Sequence, residues 1–285
     1  MIVMKFGGSC ISSKDNLENL VSVVKENIDR KPVIVVSALT GVTSRLKEIS
    51  AELYEFRQKK EVKQNDLFEK AKSFYIEILK KYEDIGQELG FEFHDVFLNS
   101  EFHNSLVSTD TNYKRFRDYV MSIGERYSSR LIAEYLRKQG IEADAYDSFD
   151  LGLITDSNFG NAHFKRISFD YIGRKLKKRN STNIPVITGF IGKEEEKVEY
   201  VKSSITTMGP NSSDLTAVIF GVALGAEEIY TYKTVNGVLT GDNNKVDFPT
   251  TIPRLSYEEA AELSAYGADV MSPRAVKLAS LFNKE

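Results

Sequence analysis

Short apolar runs alternate along this chain with longer segments of helical character, and this alternation constrains the fold more than any other feature. The strand-like runs are Ile2–Phe6, Val33–Leu39, Ala143–Tyr146, Ile184–Thr188 and Glu228–Tyr232. Strands that alternate with helices form layered structures, because each connecting helix covers one face of a parallel sheet. The sequence therefore predicts an α/β fold built around a mainly parallel sheet.

The spacing of apolar residues predicts the longest helices. Within Asn16–Ile28 and Tyr113–Gln139, apolar residues recur at steps of three and four, as on one face of a helix. Residues 44–108 are rich in Glu, Lys, Tyr and Phe and contain no proline, so we expect a mainly helical insertion there. Its charge clusters are typical of solvated helix faces, and we assign them no function.

The first strand runs directly into Gly7 and Gly8, with Lys5 before them and Ser9 after them. Adjacent glycines let backbone N–H groups approach an anion closely, and a lysine adds a positive charge within reach of phosphate oxygens. We expect this turn to open near the N-terminus of the helix Asn16–Ile28, where unpaired N–H groups favour anions. The sequence therefore predicts a phosphate site here.

Two later segments repeat the design of a strand followed by a polar turn. One is Thr40–Thr43, after the second strand-like run, and the other is Gly209–Ala217. Ser212 and Ser213 are predicted to cap the helix that follows, and an acid such as Asp214 is favourable in its first turn. The apolar face of this helix would include Ala217, Val218, Phe220, Val222 and Leu224. We expect the three turns to form one composite site.

A glycine interrupts the predicted helix Tyr113–Gln139 at Gly124, directly before Glu125. Glycine inside a helix costs about 1 kcal/mol relative to alanine, so it is better tolerated where the helix kinks or another group approaches closely. Glu125 could therefore face a ligand. The alternative is a solvent-facing acid, which is the usual state of an isolated glutamate.

Charge and composition exclude several classes of partner. The formal net charge of −3 offers no cationic field for nucleic acid or an anionic membrane. The single cysteine, Cys10, cannot form an internal disulfide, and the first apolar run is too short for a signal peptide. No run is long enough to span a bilayer, so we expect a cytoplasmic protein. The histidines His94, His103 and His163 lack the spacing of a zinc site, and no metal ligands are predicted.

An ordered series of motifs resembles the aspartate kinases of the amino acid kinase superfamily. The matching blocks are Lys5-Phe6-Gly7-Gly8, Val36-Ser37-Ala38, Gly41-Val42-Thr43, Gly124-Glu125-Arg126, Thr155-Asp156-Ser157-Asn158, Thr188-Gly189-Phe190-Ile191-Gly192, Ser213-Asp214, Gly237-Val238-Leu239-Thr240 and Ser272-Pro273-Arg274. A series in the family's order is far more specific than one glycine motif. The resemblance implies a three-layer αβα sandwich in two lobes. An amino-acid-binding lobe would cover residues 1–200, with the helical insertion about 44–108, and a nucleotide-binding lobe would cover residues 201–285.

The resemblance also implies a reaction, in which the γ-phosphoryl group of ATP passes to the side-chain carboxylate of L-aspartate. The products would be 4-phospho-L-aspartate and ADP, and Mg²⁺ would bridge the oxygens of ATP. A carboxylate is already ionised at neutral pH, so the site must align and neutralise two anions and needs no general base. The implied catalytic residues are Lys5 and Asp214; the implied nucleotide-binding residues are Gly7, Gly8, Ser9, Lys233 and Thr234; the implied substrate-binding residues are Ser37, Thr43, Glu125 and Ser213.

The segment Asp156–Ala162 is rich in residues that favour turns, and the resemblance makes it equally a wall of the acceptor pocket. The chain ends at Glu285, after the helix-like Arg274–Phe282, before the last strand and the regulatory domains usual in the family. We therefore expect no feedback through such domains. We also expect a second copy or a partner chain to cover the sheet edge.

Five positions depart from the family pattern. Pro210 stands where arginine is common, Thr234 and Asn236 where acids are usual, Asn244 where arginine is common, and Asp269 where many relatives have lysine. Two alternatives to an aspartate kinase therefore stay open. One is an enzyme of the same fold with a different acceptor; the other is a catalytically reduced homologue that binds a ligand or partners a kinase.

Overall fold

The structure is a computed structural model that describes residues 1–59, 62–94, 112–178, 182–195, 204–235, 237–242, 245–265 and 271–283. The helices in these ranges are α1 (Lys14–Glu26), α2 (Val42–Arg57), α3 (Gln64–Glu88), α4 (Tyr113–Lys138), α5 (Ile167–Lys177), α6 (Ser212–Leu224), α7 (Tyr257–Ala265) and α8 (Pro273–Phe282). The strands are β1 (Ile2–Phe6), β2 (Pro32–Val36), β3 (Ala143–Tyr146), β4 (Ile154–Thr155), β5 (Ile184–Thr188), β6 (Ile191–Glu194), β7 (Ile205–Thr207) and β8 (Glu228–Tyr232). All five predicted strands are present, with the second ending at Val36.

The central sheet has the order β3-β5-β2-β1-β8, and all of its pairings are parallel. Side chains of β1 and β2 alternate between two apolar clusters, because successive residues of a strand point to opposite faces. Helices α1 to α4 cover one face, and α5, α6 and α8 cover the other. The predicted three-layer αβα sandwich around a mainly parallel sheet is confirmed.

Helix α1 follows the first strand as predicted, with one difference at its end. The side chain of Ser13 caps the helix by accepting a hydrogen bond from the Asn16 N–H. Leu17 and Leu20 are buried against the sheet, but Ile28 lies in a short 3-10 turn beyond the helix and is largely exposed. The apolar spacing that joined Ile28 to the stripe was therefore misleading, because the helix ends at Glu26.

The predicted helical character of residues 44–108 is confirmed for most of the part that the structure describes. Helix α2 ends at Arg57 and α3 covers Gln64–Glu88, while residues 60–61 and 95–108 lie outside the described residues. Tyr82 on α3 is fully buried and donates a hydrogen bond to the Gly124 carbonyl of α4. The insertion therefore packs directly on the helix that carries Glu125.

Helix α6 differs from its prediction in two ways. Its N-cap is Asn211, in the left-handed conformation and without a capping side-chain bond, while the Ser212 hydroxyl bonds back to the Gly209 carbonyl. The predicted capping by Ser212 and Ser213 is therefore wrong. The helix is also buried on all sides from Ser212 to Gly221, because it lies between the sheet and other helices. The predicted apolar face is confirmed, since Ala217, Val218, Phe220, Val222 and Leu224 all pack in this cluster, but burial extends beyond it to the polar residues of the first turn.

A small second sheet, β4-β6-β7, stands beside the central one. Strands β6 and β7 pair antiparallel, in agreement with the predicted hairpin-like excursion after Gly192. Strand β8 belongs to the predicted second lobe but pairs with β1, so one sheet crosses the predicted boundary. The boundary itself lies at residues outside the described ranges, and the division into two lobes stays a prediction. Among the described helices, none has a long enough apolar stretch to cross a membrane.

Candidate active site

The carboxyl ends of β1, β2, β5 and β8 meet at one edge of the central sheet, since the strands are parallel. Turns at such an edge are where ligands usually bind in α/β proteins. The N-terminus of α6 and the middle of α4 approach the same edge from opposite faces of the sheet. The predicted composite site therefore has a structural basis at this edge.

The glycine turn after β1 comes very close to the turn after β2. A Cβ atom on Gly8 would lie 2.5 Å from the Ala38 carbonyl oxygen, so only glycine fits there. The Gly7 N–H donates to the Tyr232 carbonyl at 3.3 Å and so continues the pairing with β8. The Gly8 and Ser9 N–H groups donate no hydrogen bond to any described residue.

The geometry corrects the predicted phosphate loop in one respect. The amide of Gly7 is occupied, which leaves the amides of Gly8 and Ser9 as the candidate anion ligands. Gly8–Cys10 form a 3-10 turn and α1 begins at Lys14, so the turn lies near the N-terminus of this helix, as predicted. The amides of the turn itself are the direct candidates for binding a phosphate.

Lys5 forms a buried ion pair with Asp214. Lys5 lies on the same face of β1 as Val3, which packs against α6, so its side chain extends toward the first turn of that helix. The Lys5 Nζ and Asp214 Oδ1 atoms are 2.7 Å apart, and both side chains are more than nine-tenths buried. The two residues predicted to be catalytic are therefore in contact, and Asp214 holds the ammonium group beside the glycine turn.

Ser213 lies against the end of β5. A Cβ atom on Gly189 would come within 2.6 Å of the Ser213 Oγ, so this glycine lets the helix approach the strand. The next residue, Phe190, has a φ of +65°, and its N–H donates to Thr216 Oγ1. The left-handed backbone conformation is strained for phenylalanine, and the hydrogen bond to α6 holds it here. The Thr188–Gly192 motif thus serves to dock α6 at the sheet edge.

Glu125 is buried with only part of its hydrogen-bonding capacity used. Oε1 accepts a hydrogen bond from the Ala38 N–H at 3.2 Å, whereas Oε2 is buried and has no hydrogen-bond partner among the residues that the structure describes. Burial raises the pKa of the Glu125 carboxyl to about 8, although the Ala38 N–H works in the other direction. The solvent-facing alternative for Glu125 is therefore wrong.

Gly124 explains how Glu125 reaches this position. A Cβ atom on Gly124 would lie 2.6 Å from the Cβ of Ala38 and 3.1 Å from Val42. The predicted close approach at this glycine is confirmed, and the approaching group is the turn between β2 and α2. Because α4 and this turn touch, the Glu125 carboxylate meets the backbone of Ala38.

Ser37 and Thr43 flank the same turn. Ser37 follows β2 and donates its N–H to the Phe6 carbonyl, and Thr43 is in the first turn of α2. Both are half-buried. The hydroxyls of Ser37, Thr43 and Ser213 form no hydrogen bonds to the described residues. All three are therefore placed to bind a ligand, and their roles stay predictions.

Lys233 and Thr234 follow the end of β8. Tyr232 stacks on Phe6 with ring centroids 4.6 Å apart, which fixes the two strand ends side by side. Lys233 is half-buried and Thr234 is exposed at this edge, and their predicted role in nucleotide binding stays untested. Asn236, Asn244 and Asp269 lie outside the described residues.

Sequence reasoning missed Asp118, which lies two helical turns before Glu125. It is fully buried, and its Oδ2 accepts hydrogen bonds from the N–H groups of Gly160 and Thr207, both at 2.7 Å. Burial raises the pKa of the Asp118 carboxyl, and the two N–H groups oppose this. A signal was present: the polar residues Asp118, Ser122, Glu125 and Ser129 recur along one stripe of α4, and all are buried.

Arg274 was also missed as a structural element of this region. Its guanidinium donates to the Met208 carbonyl at 2.7 Å, to the Ala162 carbonyl at 2.9 Å and to Asn161 Oδ1 at 3.4 Å. Burial lowers the pKa of Arg274, which stays protonated. Together with Asp118, it fixes the loop Asp156–Ala162, which is a turn as predicted.

In the described parts of the chain, no group of three or more His, Cys, Asp or Glu side chains is arranged to hold a metal ion. The side chains of His94 and His163 are largely exposed, and His103 lies outside the described residues. Cys10 is a half-buried free thiol in the glycine turn.

Comparison with known proteins bears on the lineage. The sequence model described as the amino acid kinase family matches residues 1–283. Aspartokinase 3, chloroplastic, of Arabidopsis thaliana is 35% identical over 283 residues, which cover 96% of this chain and 48% of that protein. An aspartokinase of Bacillus sp. strain MGA3 is 37% identical over 166 residues, or 58% of this chain and 38% of that protein. The chain spans about half the length of the first curated relatives it matches.

Solved structures agree on the fold. E. coli aspartokinase III in complex with aspartate and ADP superimposes with a TM-score of 0.75 at 23% identity, covering 99% of this chain and 60% of that one. The aspartate kinase of Clostridium acetobutylicum gives a TM-score of 0.73 at 22% identity, covering 98% and 57%. At these identities the likeness is one of architecture.

Proposed function

The chain belongs to the amino acid kinase family, and from that premise we propose that it transfers the γ-phosphoryl group of ATP to the side-chain carboxylate of L-aspartate. The products are 4-phospho-L-aspartate and ADP. The similarity to proteins named aspartokinases supports this choice within the family, and so does a solved aspartokinase that holds aspartate and ADP.

The observation that carries the proposal is the contrast between two buried charges at one sheet edge. Lys5 is already paired with Asp214 beside the amides of Gly8 and Ser9, as suits a phosphoryl group. Glu125 is buried with one oxygen unpartnered, as suits a cationic group of the ligand. A site that offers donors on one side and an uncompensated carboxylate on the other fits a nucleotide and an amino acid together.

The Glu125 carboxylate is the proposed ligand of the substrate ammonium group. An ammonium has three N–H donors and can satisfy the vacant Oε2 while it compensates the buried charge. The hydroxyls of Ser37, Thr43 and Ser213 would supply further hydrogen bonds to the amino acid. Because aspartate is ionised at neutral pH, orientation and charge neutralisation are the tasks of the site.

Lys5, together with the amides of Gly8 and Ser9, would neutralise charge on the transferred phosphoryl group. A preorganised donor in a buried site contributes most where charge develops in the transition state. Asp214 holds the lysine in place and so prevents it from turning into solvent. Lys233 and Thr234, at the neighbouring strand end, are the proposed contacts of the rest of the nucleotide.

Mg²⁺ is proposed to enter with ATP. The described residues form no protein cage for a cation, and the one carboxylate at the glycine turn, Asp214, is committed to Lys5. This fits an ion that keeps most of its ligands as waters and phosphate oxygens. Bound in that way, the ion would supply neutralisation of the ATP oxygens, while the chain itself holds the acceptor.

Pro210 favours a second candidate, a kinase of the same family with a different acceptor. It is exposed in the turn that leads into α6 and brings no cation to the acceptor side. An acceptor whose only carboxylate is the one that is phosphorylated would need no cation at this position. Assembly with a second copy or a partner chain across β8, and a cytoplasmic location, stay predictions.

The test is release of ADP from the full chain with ATP and Mg²⁺, with and without L-aspartate, while hydroxylamine traps any acyl phosphate. We expect ADP and hydroxamate to form in equal amounts and only with aspartate. A panel of other carboxylic acids and phosphorylated acceptors tests the second candidate. Folded protein that binds ATP but phosphorylates nothing would contradict both and support a reduced homologue.

A further inference from the structure

The loop Asp156–Ala162 is held from outside, by side chains of α4 and α8. On the α4 side, the Arg117 guanidinium lies against the bare Cα of Gly160, where a Cβ atom would come within 1.8 Å of it. The Arg115 guanidinium lies over the ring of Phe159, 5.2 Å from its centroid. The loop therefore takes its position from a helix that also carries Glu125.

Asp118 is the part of this arrangement that joins two segments. Its Oδ2 binds the N–H of Gly160 in the loop and the N–H of Thr207 at the end of β7. The Thr207 carbonyl in turn accepts a hydrogen bond from the Ala162 N–H. The loop and β7 are therefore joined both directly and through the Asp118 carboxylate. Asp118 has no exposure to solvent, so water cannot replace these bonds.

The segment after Thr207 leads directly into the site. Met208 donates its N–H to the Phe190 carbonyl, and Gly209 packs against Asn161 with a φ of +88°. From there the chain turns into α6, whose first residues include Ser213 and Asp214. A shift of Thr207 would therefore move both the loop and the start of α6.

We propose that Asp118 is a positioning residue for the acceptor. Through the backbone amides of Gly160 and Thr207, Asp118 sets the distance between the loop Asp156–Ala162 and the first residues of α6. Asp118 itself does not touch the acceptor. It acts through the loop, whose role as a wall of the acceptor pocket rests on the proposed function. Asp118 and Glu125 are seven residues apart on one face of α4. The same helix therefore positions Glu125, the proposed partner of the ammonium group, and the loop that forms the proposed wall of the pocket.

Three variants test this in the full chain. Asp118→Ala removes the acceptor of both hydrogen bonds; Asp118→Asn keeps one carbonyl oxygen that can accept both, as Oδ2 does now. Gly160→Ala leaves Asp118 in place but strains the loop, because φ at this position is +89°. Leu53→Ala, in the buried core of α2, is the matched control for a general loss of stability.

The KM for L-aspartate, the KM for ATP and kcat are measured for each variant. We expect Asp118→Ala and Gly160→Ala to raise the KM for aspartate about tenfold, the effect of roughly one lost charged hydrogen bond, with the KM for ATP changed less than about twofold. Asp118→Asn should restore most of the affinity, and Leu53→Ala should change neither KM. Equal changes in both KM values would overturn the proposal. So would unchanged KM values in Asp118→Ala and Gly160→Ala, which is the result expected for Leu53→Ala.

Hydrogen exchange separates this proposal from the assignment of the substrate. In Asp118→Ala, the amides of residues 156–162 and 207–209 should exchange faster than in the wild type, while α1 stays protected. If the wild type does not phosphorylate aspartate, the proposed function fails, and exchange alone decides whether Asp118 tethers the loop. Unchanged exchange in the loop would overturn the tether. If Asp118→Ala does not fold, Asp118→Asn and Gly160→Ala carry the test.

Discussion

The two sides of the candidate site bury ionisable groups in opposite ways. On the phosphate side, Lys5 and Asp214 compensate each other at 2.7 Å without any ligand. On the acceptor side, Glu125 accepts one hydrogen bond, its other oxygen has no hydrogen-bond partner among the described residues, and its pKa is strongly raised. Under the proposed function, the phosphate side is therefore assembled in advance, whereas the acceptor side is completed by the ammonium group of the substrate.

This difference shows why burial alone does not mark a functional carboxylate. Asp118 is buried like Glu125, yet its Oδ2 accepts from two backbone N–H groups, its Oδ1 lies 3.5 Å from the Arg117 guanidinium, and it serves the fold of the loop. What distinguishes Glu125 is hydrogen-bonding capacity that the protein leaves unused. A buried unsatisfied group carries a cost of a few kcal/mol, which a ligand can recover on binding.

The largest expected effect is that of Lys5→Ala on turnover. Loss of a preorganised donor at the transferred phosphoryl group should lower kcat by about 10²- to 10³-fold. The variant should also lose stability, because Asp214 would be left uncompensated, at a cost of about 3–5 kcal/mol.

Lys5→Met combined with Asp214→Asn is the matched control, because it removes both charges and keeps the volume. It should recover most of the stability in urea unfolding and none of the turnover, measured by ADP release. Turnover close to that of the wild type in either protein would show that the phosphate side does not depend on this pair.

Glu125→Gln should have the next largest effect, and it should separate affinity from stability. The carboxamide can still accept from the Ala38 N–H, but it offers no charge to an ammonium group, so the KM for aspartate should rise about tenfold or more. Stability near neutral pH should increase or stay unchanged, since the variant no longer has to take up a proton at this buried position on folding. Steady-state kinetics and urea unfolding measure the two. A rise confined to the KM for ATP would place Glu125 on the phosphate side and contradict the difference between the two sides.

The dependence of stability on pH gives a smaller effect with a definite sign. An unfolded Glu125 releases its proton near its ordinary pKa of 4.5, whereas the folded chain keeps it up to about pH 8. The folded state therefore binds more protons between these values, and this group makes stability fall as pH rises, by at most about 1.4 kcal/mol per pH unit. Urea unfolding at pH 5, 6, 7 and 8 should show this slope in the wild type.

Glu125→Gln is the control for the pH series, because it removes this one group. The pKa values of Asp118 and Asp150 are also raised, mainly by burial, but they contribute equally to both proteins and cancel in the difference. Aspartate should reduce the slope, since its ammonium group stabilises the charged carboxylate. Parallel curves for wild type and variant would mean that Glu125 is solvated in solution.

The fold was predictable because its signals are local. Strand-like runs with turns located the central sheet, and apolar steps of three and four located α1 and α4. Composition indicated that the segment holding α2 and α3 is helical, and parallel pairing placed the strand ends together. Lys5 and Asp214 were both identified by their motifs. Their direct contact was not, since the direction of a side chain depends on which face of β1 meets α6.

The errors have a common origin in long-range packing. Serine favours helix N-caps, which is why Ser212 and Ser213 were predicted to cap α6. The close packing of α6 on Gly189 and the turn at Gly209 instead determine how this helix begins. The role of Asp118 depends on Gly160 and Thr207, which are 42 and 89 residues away in sequence. No local pattern predicts such bonds, although a polar stripe on an otherwise buried helix indicates that partners exist.

The smallest expected effect is that of Tyr82→Phe, which tests how far the helical insertion supports the acceptor side. The Tyr82 hydroxyl is buried and donates to the Gly124 carbonyl at 2.8 Å, next to Glu125. That carbonyl keeps its bond within α4, so phenylalanine should cost only about 1 kcal/mol in urea unfolding, with the KM for aspartate changed less than about twofold. A tenfold rise in this KM would show that α3 positions Glu125, and the acceptor side would then extend beyond the sheet edge into the insertion.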